Sequence, residues 1–408
     1  MSDYTRDKIK PLWRLAMETG SWPVAVAFVD SSRRVVAGNQ EGLIVEWELP
    51  EAVSEPVKLF EPDGKQYDGV EPPPPSRQYV GHTNGVTRFV TPREGRWFLS
   101  ASLDRTLRVW DPAAAPGGKA ELVLDRRQRR HKAQKLEEKK RPEVLDAPGI
   151  ELPTQQAAAV LDAHKDWIMA LGISGDGRRV ISGDDARQII VWELEAGKLD
   201  GSKEVARWQC PGVAWISAAA LSADGQLAAV AQYRRKGGDY NNYPAGLRIY
   251  KVADGAVQVD ILAILYPKEK NPPYKYQYDY HEFVSEGLVA LAFSPDGKLL
   301  AVGQGGEGGP GKIHFVDVAT GSLVRSVAGH KYGLTDLTFT ADGKYLFSAG
   351  RDTRFRITKV EDGSEVAVIG QERGGQFTDW LAAIALSPDE RRLAAADIAG
   401  FVQVWDLG

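Results

Sequence analysis

A single cysteine, Cys210, rules out an intramolecular disulfide framework and any cysteine-based zinc finger. Long apolar runs are missing as well. The stretch 380–386 is among the longest, and it falls far short of the roughly 20 residues a membrane-spanning helix needs. The opening MSDYTRDKIK has no apolar core of the kind a secretory signal requires. Neither sign of charge dominates, with 51 Lys+Arg against 55 Asp+Glu and a formal net of −4. With 43% apolar and 26% charged residues the chain falls among globular proteins. These absences leave a soluble, cytoplasmic protein with no membrane partner as the expectation.

Catalytic signatures are absent too. There is no G-x-S-x-G nucleophile elbow and no G-x-x-x-x-G-K-[ST] phosphate loop. The glycine-rich stretch 303–311 joins two strands instead of opening a helix, so it lacks the helix N-terminus that makes such a loop cradle phosphate. The six histidines show no i, i+4 metal spacing, and nothing calls for a metal or a cofactor.

What the sequence does have is repetition. LAFSPDGKLLAVG (291–303), LTFTADGKYLFSAG (337–350), LGISGDGRRVISG (171–183) and AALSADGQLAAVA (219–231) share one pattern, and degenerate copies at 27–38, 88–101 and 384–396 bring the total to seven. Each reads as a strand, a tight turn and a second strand, followed by a third strand that often ends in an aromatic residue. Asp-Gly between alternating apolar runs is a hairpin signal, because glycine accepts the positive φ such turns require. The intervals Asp176 to Asp224, Asp296 to Asp342 and Asp342 to Asp389 are 48, 46 and 47 residues. The interval from Asp224 to Asp296 is 72 residues, which marks an insertion.

These copies resemble the WD-repeat family of β-propellers, in a divergent, bacterial-type form. Trp110-Asp111 and Trp405-Asp406 keep the terminal Trp-Asp pair, and Trp47-Glu48 and Trp192-Glu193 are variants of it. Gly81-His82 and Gly329-His330 keep the Gly-His that opens a repeat, and Ala163-His164 is a near match. By this resemblance His82, Ser100, Asp104 and Trp110 form a hydrogen-bonded tetrad across one blade. His330, Ser348 and Asp352 do the same in the sixth, with Thr358 in place of the tryptophan. The implied fold is all-β: one seven-bladed propeller of four-stranded antiparallel blades over 1–408.

Physics agrees. A four-stranded sheet cannot bury both faces alone, so the repeats must stack radially. The first strands are rich in small residues (VAVAF 24–28, ISAAAL 216–221, LAAIAL 381–386), as crowding at an axis demands. The chain ends just after the third strand of the last repeat, while residues 10–18 precede the first. The N-terminal strand is therefore predicted to complete the last blade and remove its open edge.

Insertions are expected at about 51–78, 112–155, 233–246 and 265–287. The first contains the four prolines 72–75, suited to an extended connection. The second contains DRRQRRHKAQKLEEKKR (125–141), with nine Lys/Arg against three Asp/Glu. Its composition favours a solvated helix with few apolar anchors. Arg126, Arg127, Arg129, Arg130 and Lys132 head this stretch. It reads either as a solvated insertion or as a docking segment for nucleic acid or an acidic partner. No aromatic interleaves the cations, so nothing supports a stacking platform for single strands.

Two aromatic sets suggest a recognition surface. Tyr274, Tyr276, Tyr278 and Tyr280 alternate with polar residues, which puts all four on one side of an extended chain. Trp167, Trp215 and Trp380 stand just before the first strands of their repeats, where other copies use Gly85, Gly287 and Gly333; Trp22 stands beside Pro23 in the first. By resemblance to the family this position borders the top mouth of the central channel. Large indoles there are open to two readings: an apolar, cation-attracting patch, or a cap that stabilises contacts between blades. The expected function is a non-catalytic protein-interaction scaffold, a subunit of a larger assembly that binds a partner segment on its top face. The alternatives are docking through 125–141 and an enzyme in which Asp184, Asp185, Asp352 and Asp397 converge at the channel mouth.

Overall fold

The structure is a computed structural model that describes residues 4–17, 19–60, 66–124, 126–195, 198–212, 214–233, 245–266, 287–305, 311–370 and 379–408. After β1 (Lys10–Ala16), blade 1 takes β2 (Pro23–Phe28), β3 (Arg34–Asn39), β4 (Ile44–Glu48) and, past a separate hairpin of β5 (Val57–Phe60) and β6 (Gln66–Gly69), β7 (Pro75–Tyr79). Blade 2 begins with β8 (Val86–Val90), β9 (Phe98–Ser102) and β10 (Leu107–Trp110). An arm then intervenes: β11 (Gly118–Leu122), α1 (Arg126–Gln134), a 3₁₀ turn (Glu138–Lys140), α2 (Arg141–Leu145) and β12 (Ile150–Gln155). The fourth strand of blade 2, β13 (Ala159–Leu161), follows the arm.

The remaining blades are regular. Blade 3 is β14 (Ile168–Ile173), β15 (Arg179–Asp184), β16 (Gln188–Glu195) and β17 (Lys198–Gln209). Blade 4 is β18 (Trp215–Leu221), β19 (Leu227–Tyr233), β20 (Ala245–Lys251) and β21 (Val257–Asp260), trailed by α3 (Ile261–Leu265). Blade 5 is β22 (Leu288–Phe293), β23 (Leu299–Gln304), β24 (Ile313–Asp317) and β25 (Leu323–Val327). Blade 6 is β26 (Leu334–Phe339), β27 (Tyr345–Gly350), β28 (Arg354–Lys359) and β29 (Glu365–Gly370). Blade 7 is β30 (Leu381–Leu386), β31 (Arg392–Asp397), β32 (Phe401–Asp406) and, fourth and outermost, β1. The fold is a seven-bladed β-propeller. Ring closure is as predicted: β1 runs antiparallel to β32 from Lys10↔Asp406 to Ala16↔Phe401, and Trp13, Leu15 and Met17 are buried along it.

One local unit repeats at the turn between first and second strands. Ser174–Asp176, Ser222–Asp224, Ser294–Asp296, Thr340–Asp342 and Ser387–Asp389 each join hydroxyl to carboxylate at 2.6–2.8 Å. The same carboxylate accepts the N–H two residues on, and the hydroxyl oxygen accepts the N–H five residues on, as at Arg178 and Arg179 in blade 3. This is why Ser-x-Asp-Gly recurs in the sequence. Neighbouring blades touch through β-strand glycines. A Cβ on Gly183 would lie 2.7 Å from the Ile216 side chain of blade 4, and one on Gly303 would lie 2.5 Å from Leu334 of blade 6.

The arm departs from the sequence reading. It is helical in its middle, but it is neither a free excursion nor part of blade 2. Its hairpin β11–β12 crosses to the outer edge of blade 1, where β12 runs parallel to β7 at Thr154↔Gln78 and Gln155↔Tyr79. Blade 1 thus has six strands. Leu122 and Leu152, each 7% exposed, are the apolar anchors that join it to a core containing Trp13, Trp47 and Val70.

Candidate functional site

The rim of the propeller is made rigid by buried polar networks. In blade 2 His82 Nδ1 is 2.8 Å from Asp104 Oδ2, His82 Nε2 is 2.6 Å from Ser100 Oγ, and Trp110 donates its indole N–H to that oxygen at 2.8 Å. All four residues of the expected tetrad therefore meet. Blade 3 holds a second complete set, His164, Ser182, Asp184 and Trp192, which the near-match Ala163-His164 only hinted at. Its aspartate comes two residues after the serine instead of four, which hides it from a search by spacing. Blade 6 keeps His330–Asp352 at 2.8 Å and His330–Ser348 at 2.9 Å, with Thr358 buried where the indole would be. A carboxylate can only accept, so Nδ1 carries the proton and Nε2 accepts from the serine. Burial lowers the His82 and His330 pKa below the ordinary value, which keeps both rings neutral as this network needs.

The residue before or at the start of each first strand lies at the same end as these networks. Its carbonyl accepts an N–H from the turn between second and third strands: Leu103 to Gly85, Asp185 to Trp167, Gly305 to Gly287, Arg351 to Gly333 and Ile398 to Trp380. Trp167 and Trp215 are the most exposed indoles of the four expected residues, at 50% and 46%, and Trp22 follows at 38%. By contrast Trp47, Trp110 and Trp405 are sealed between blades. Trp380 is half-buried, and its ring already carries a cation, with the Arg351 guanidinium 5.1 Å from its centroid. Trp167 and Trp215 stand on neighbouring blades 3 and 4, and Trp22 and Trp380 on neighbouring blades 1 and 7. Tyr274, Tyr276, Tyr278 and Tyr280 lie outside the described residues.

Two aspartates bond the backbone of Trp167. Asp166 accepts the Trp167 N–H at 2.9 Å, and Asp185 donates its own N–H to the Trp167 carbonyl at 3.0 Å. Burial, then the charges of Asp166 and Asp184, push the Asp185 carboxyl up to about 6.

The axis holds a cavity of about 670 Å³ lined by the first strands of all seven blades, much of it alanine. Four charged residues line it, Arg88, Arg93, Asp336 and Glu390. Asp336 accepts the N–H of Leu337 and, across the blade boundary, of Ile384, both at 2.9 Å. Burial raises its pKa and the Arg88 charge opposes the rise. Three of the four carboxylates named for a site at the channel mouth are engaged in local hydrogen bonds, and Asp185 is the exception. Asp184 and Asp352 hold their histidines, and Asp397 accepts N–H bonds from Ala399 and Phe401 inside its own turn. Among the described residues no group of three His, Cys, Asp or Glu could hold a metal ion, and no helix is long and apolar enough to cross a membrane.

Of the basic segment 125–141, Arg126–Gln134 form α1, and the side chain of Arg127 lies outside the described residues. Arg126, Arg130 and Lys132 are exposed, whereas Arg129 turns inward and donates to the carbonyls of Ala147 and Pro148. Sequence reasoning missed the residue that fixes the arm. Arg77 of β7 donates to the carbonyls of Pro112 (3.0 Å) and Ala114 (3.1 Å), where the arm begins, and to the Gln155 side chain, where it ends. Nor did it find Tyr4, which buries its ring against Tyr345 and Phe347 with centroids 5.2 and 5.1 Å away.

Residues 74–111, 155–193 and 321–358 match the family model described as WD domain, G-beta repeat. Each match starts at or near the outermost strand of one blade and ends with the third strand of the next, so the sequence repeat is offset from the structural blade by one strand. The chain is similar to WD repeat and SOCS box-containing protein 1 of Mus musculus, 32% identical over 117 residues, which are 28% of this chain and 26% of that protein. It is similar to Autophagy-related protein 16 of Arabidopsis thaliana, 29% identical over 99 residues, 24% of this chain and 19% of that one. An uncharacterized WD repeat-containing protein of Synechocystis is 28% identical over 121 residues, 29% of this chain and 32% of that protein. The chain spans no more than about a third of the length of any of these relatives. The seven blades, the tetrads and the three matched repeats are those of a WD-repeat β-propeller.

Proposed function

We infer that the chain is a non-catalytic protein-interaction scaffold, a subunit of a multiprotein assembly that binds a partner segment on the top face of the propeller. The observation that carries this reading is the exposure of Trp167 and Trp215, at 50% and 46%, on a rim held by buried hydrogen-bond networks. Rigid indoles offer large contact area at low entropic cost and are frequent anchors of binding energy. Asp166 and Asp185 beside Trp167 favour a partner segment that presents a Lys or Arg to the blade 3–4 pair. The buried thiol of Cys210 fits a reducing, cytoplasmic setting.

The test is affinity purification from native host extract at low and high salt. Wild type is run beside Trp167→Ala/Trp215→Ala, Trp22→Ala/Trp380→Ala and a deletion of residues 125–141. A partner that survives high salt and is lost only from the first variant supports the reading. If folded wild type retains nothing specific at either salt, the reading fails.

A further inference from the structure

We propose that helix α1 is a docking surface for the phosphate backbone of a nucleic-acid duplex, separate from the indole-bearing face. The helix reads RRQRRHKAQ and has no acidic side chain in its first turn, where the helix dipole would favour one. Arginine at that end is electrostatically unfavourable. Arg126/Arg130 at i, i+4 and Arg129/Lys132 and Lys132/Lys135 at i, i+3 add like-charge repulsion along the surface. A local conflict of this kind is retained where something outside the fold relieves it.

The structure then separates the cations in use from those without a partner. Arg129 is committed to the carbonyls of Ala147 and Pro148, and Lys139 and Lys140 pair with Glu137 at 3.6 and 4.0 Å. Arg126, Arg130, Lys132 and Lys135 are exposed, and none of their side chains makes an ion pair or hydrogen bond with a described residue. The helix is presented and not adrift: Ala133 is 3% exposed on its inner side, and the arm is held to blade 1 by Leu122, Leu152 and Arg77.

The exposed side of α1 also discriminates between polyanions. A protein partner needs an apolar or aromatic anchor at the centre of its interface. Around Arg130, Lys132, Gln134 and Lys135 the exposed side of α1 offers none. A row of cations without a hydrophobic core suits sequence-independent contact with phosphates, to which the guanidinium fork is matched. The segment 125–141 carries nine Lys/Arg against three Asp/Glu in a chain whose net is −4, so the rest of the surface repels a polyanion and confines it to the arm.

The test uses the full chain and a short mixed-sequence duplex, as DNA and as RNA, followed by fluorescence anisotropy between 50 and 200 mM salt. Four phosphate contacts give a log–log salt slope of about −4, or roughly a hundredfold loss of affinity across that range. Neutralising one cation, as in Lys132→Gln, lowers the slope by about 1. Arg130→Glu/Lys132→Glu/Lys135→Glu abolishes binding with an unchanged melting curve, and the glutamine triple variant guards against effects of reversed charge. Trp167→Ala/Trp215→Ala binds the duplex as wild type does, so failure here and failure of the scaffold reading are distinguishable. The proposal is overturned if folded wild type does not bind duplex at 50 mM salt, if the triple variants bind equally well, or if polyglutamate competes as effectively as duplex, which would assign the helix to an acidic protein segment.

Discussion

Trp110 donates its indole N–H to Ser100 Oγ at 2.8 Å, and the same oxygen lies 2.6 Å from His82 Nε2. Ser100 is thus a buried hub for Trp110 of β10 and for His82 of the loop before β8. Replacing it with alanine leaves a ring nitrogen and an indole N–H unsatisfied, at a cost of about 2–3 kcal/mol. Trp110→Phe keeps most of the burial and loses one hydrogen bond, for about 1 kcal/mol beyond the packing change. Urea unfolding of the two variants should rank them in that order. The reverse order would mean that the indole's packing, and not the hydrogen-bond hub, fixes the blade.

Asp397 is the counter-case. Like Asp184 it is the last residue of its second strand, but Asp184 has His164 at 2.9 Å and blade 7 contains no histidine. In blade 2 burial pushes Asp104 up, yet His82 and Thr106 pull it well below the usual carboxylate range. Asp397 has the Arg14 charge, the N–H groups of Phe401 and Ala399 and the Gln403 amide against its burial, and its carboxyl sits at about 6. A folded-state pKa above the unfolded value means that the folded chain holds this proton more tightly. This site therefore costs stability as pH rises from about 4 to about 6, and the cost persists above that. Blade 1 places the neutral Asn39 at the equivalent strand end, donating to Thr19 Oγ at 2.8 Å. Asp397→Asn should raise stability at pH 7 by about 1–2 kcal/mol and leave it unchanged near pH 4. Denaturation midpoints of both proteins across that range check it, and parallel curves would remove Asp397 from the account.

The histidine networks run the other way. His330 is buried and its pKa is lowered, so the unfolded chain takes up a proton first as pH falls. The contribution of neutral His330 is complete above its unfolded value of about 6.5 and declines below it. His330→Gln should flatten the acid limb of the stability curve, at some cost in stability at pH 7. An unchanged acid limb would show that other groups set it.

These contrasts bear on what the sequence could reveal. Ser-x-Asp-Gly turns are closed by hydrogen bonds within five residues, and Trp-Asp ends and Gly-His openings recur at fixed places in the repeat, so the blades and the tetrad of His82, Ser100, Asp104 and Trp110 were legible. Ring closure was legible too, because three strands in the last repeat demanded a fourth. The arm's destination was not. Pairing β12 with β7 joins segments about 75 residues apart through two register positions, and no periodicity announces that. Arg351 over Trp380 joins the turn of one blade to the next blade, a contact that spacing within a single repeat does not reveal. Tyr4 escaped because a lone aromatic near a terminus has no repeat to define its place.

Closure itself can be tested. Arg14 of β1 stacks on the ring of Phe401 at 3.7 Å, and Leu15 is fully buried in the core shared by blades 1 and 7. Leu15→Ala should cost about 2–5 kcal/mol, the range for truncating a buried leucine. Removing residues 1–16 should do more, because it exposes the whole edge of β32 to pairing with other chains. Light scattering on heating should then report aggregation at lower temperature than for Leu15→Ala. Equal behaviour would show that the strand contributes side-chain burial alone.

The root of the arm offers the last prediction. Arg77 holds Pro112, Ala114 and Gln155 together, and beneath it lies Glu46, 1% exposed, which accepts hydrogen bonds from Tyr79 and from Ser76 at 3.2 Å. Arg34 and Arg77 bring guanidinium nitrogens to 3.9 and 4.0 Å from the Glu46 carboxylate. Removing Arg77 therefore frees both ends of the arm and strips one cation from a buried carboxylate. Arg77→Ala should lower global stability by about 2–4 kcal/mol, chiefly through the uncompensated charge. Arg77→Ala/Glu46→Gln should recover most of that loss, because it removes the charge left behind. Neither variant restores the clamp. Trypsin should therefore cut within residues 126–141 faster in both than in wild type, even where the double variant melts as wild type does. If the double variant regains protection along with stability, the apolar contacts of Leu122 and Leu152 hold the arm and Arg77 serves only to neutralise Glu46.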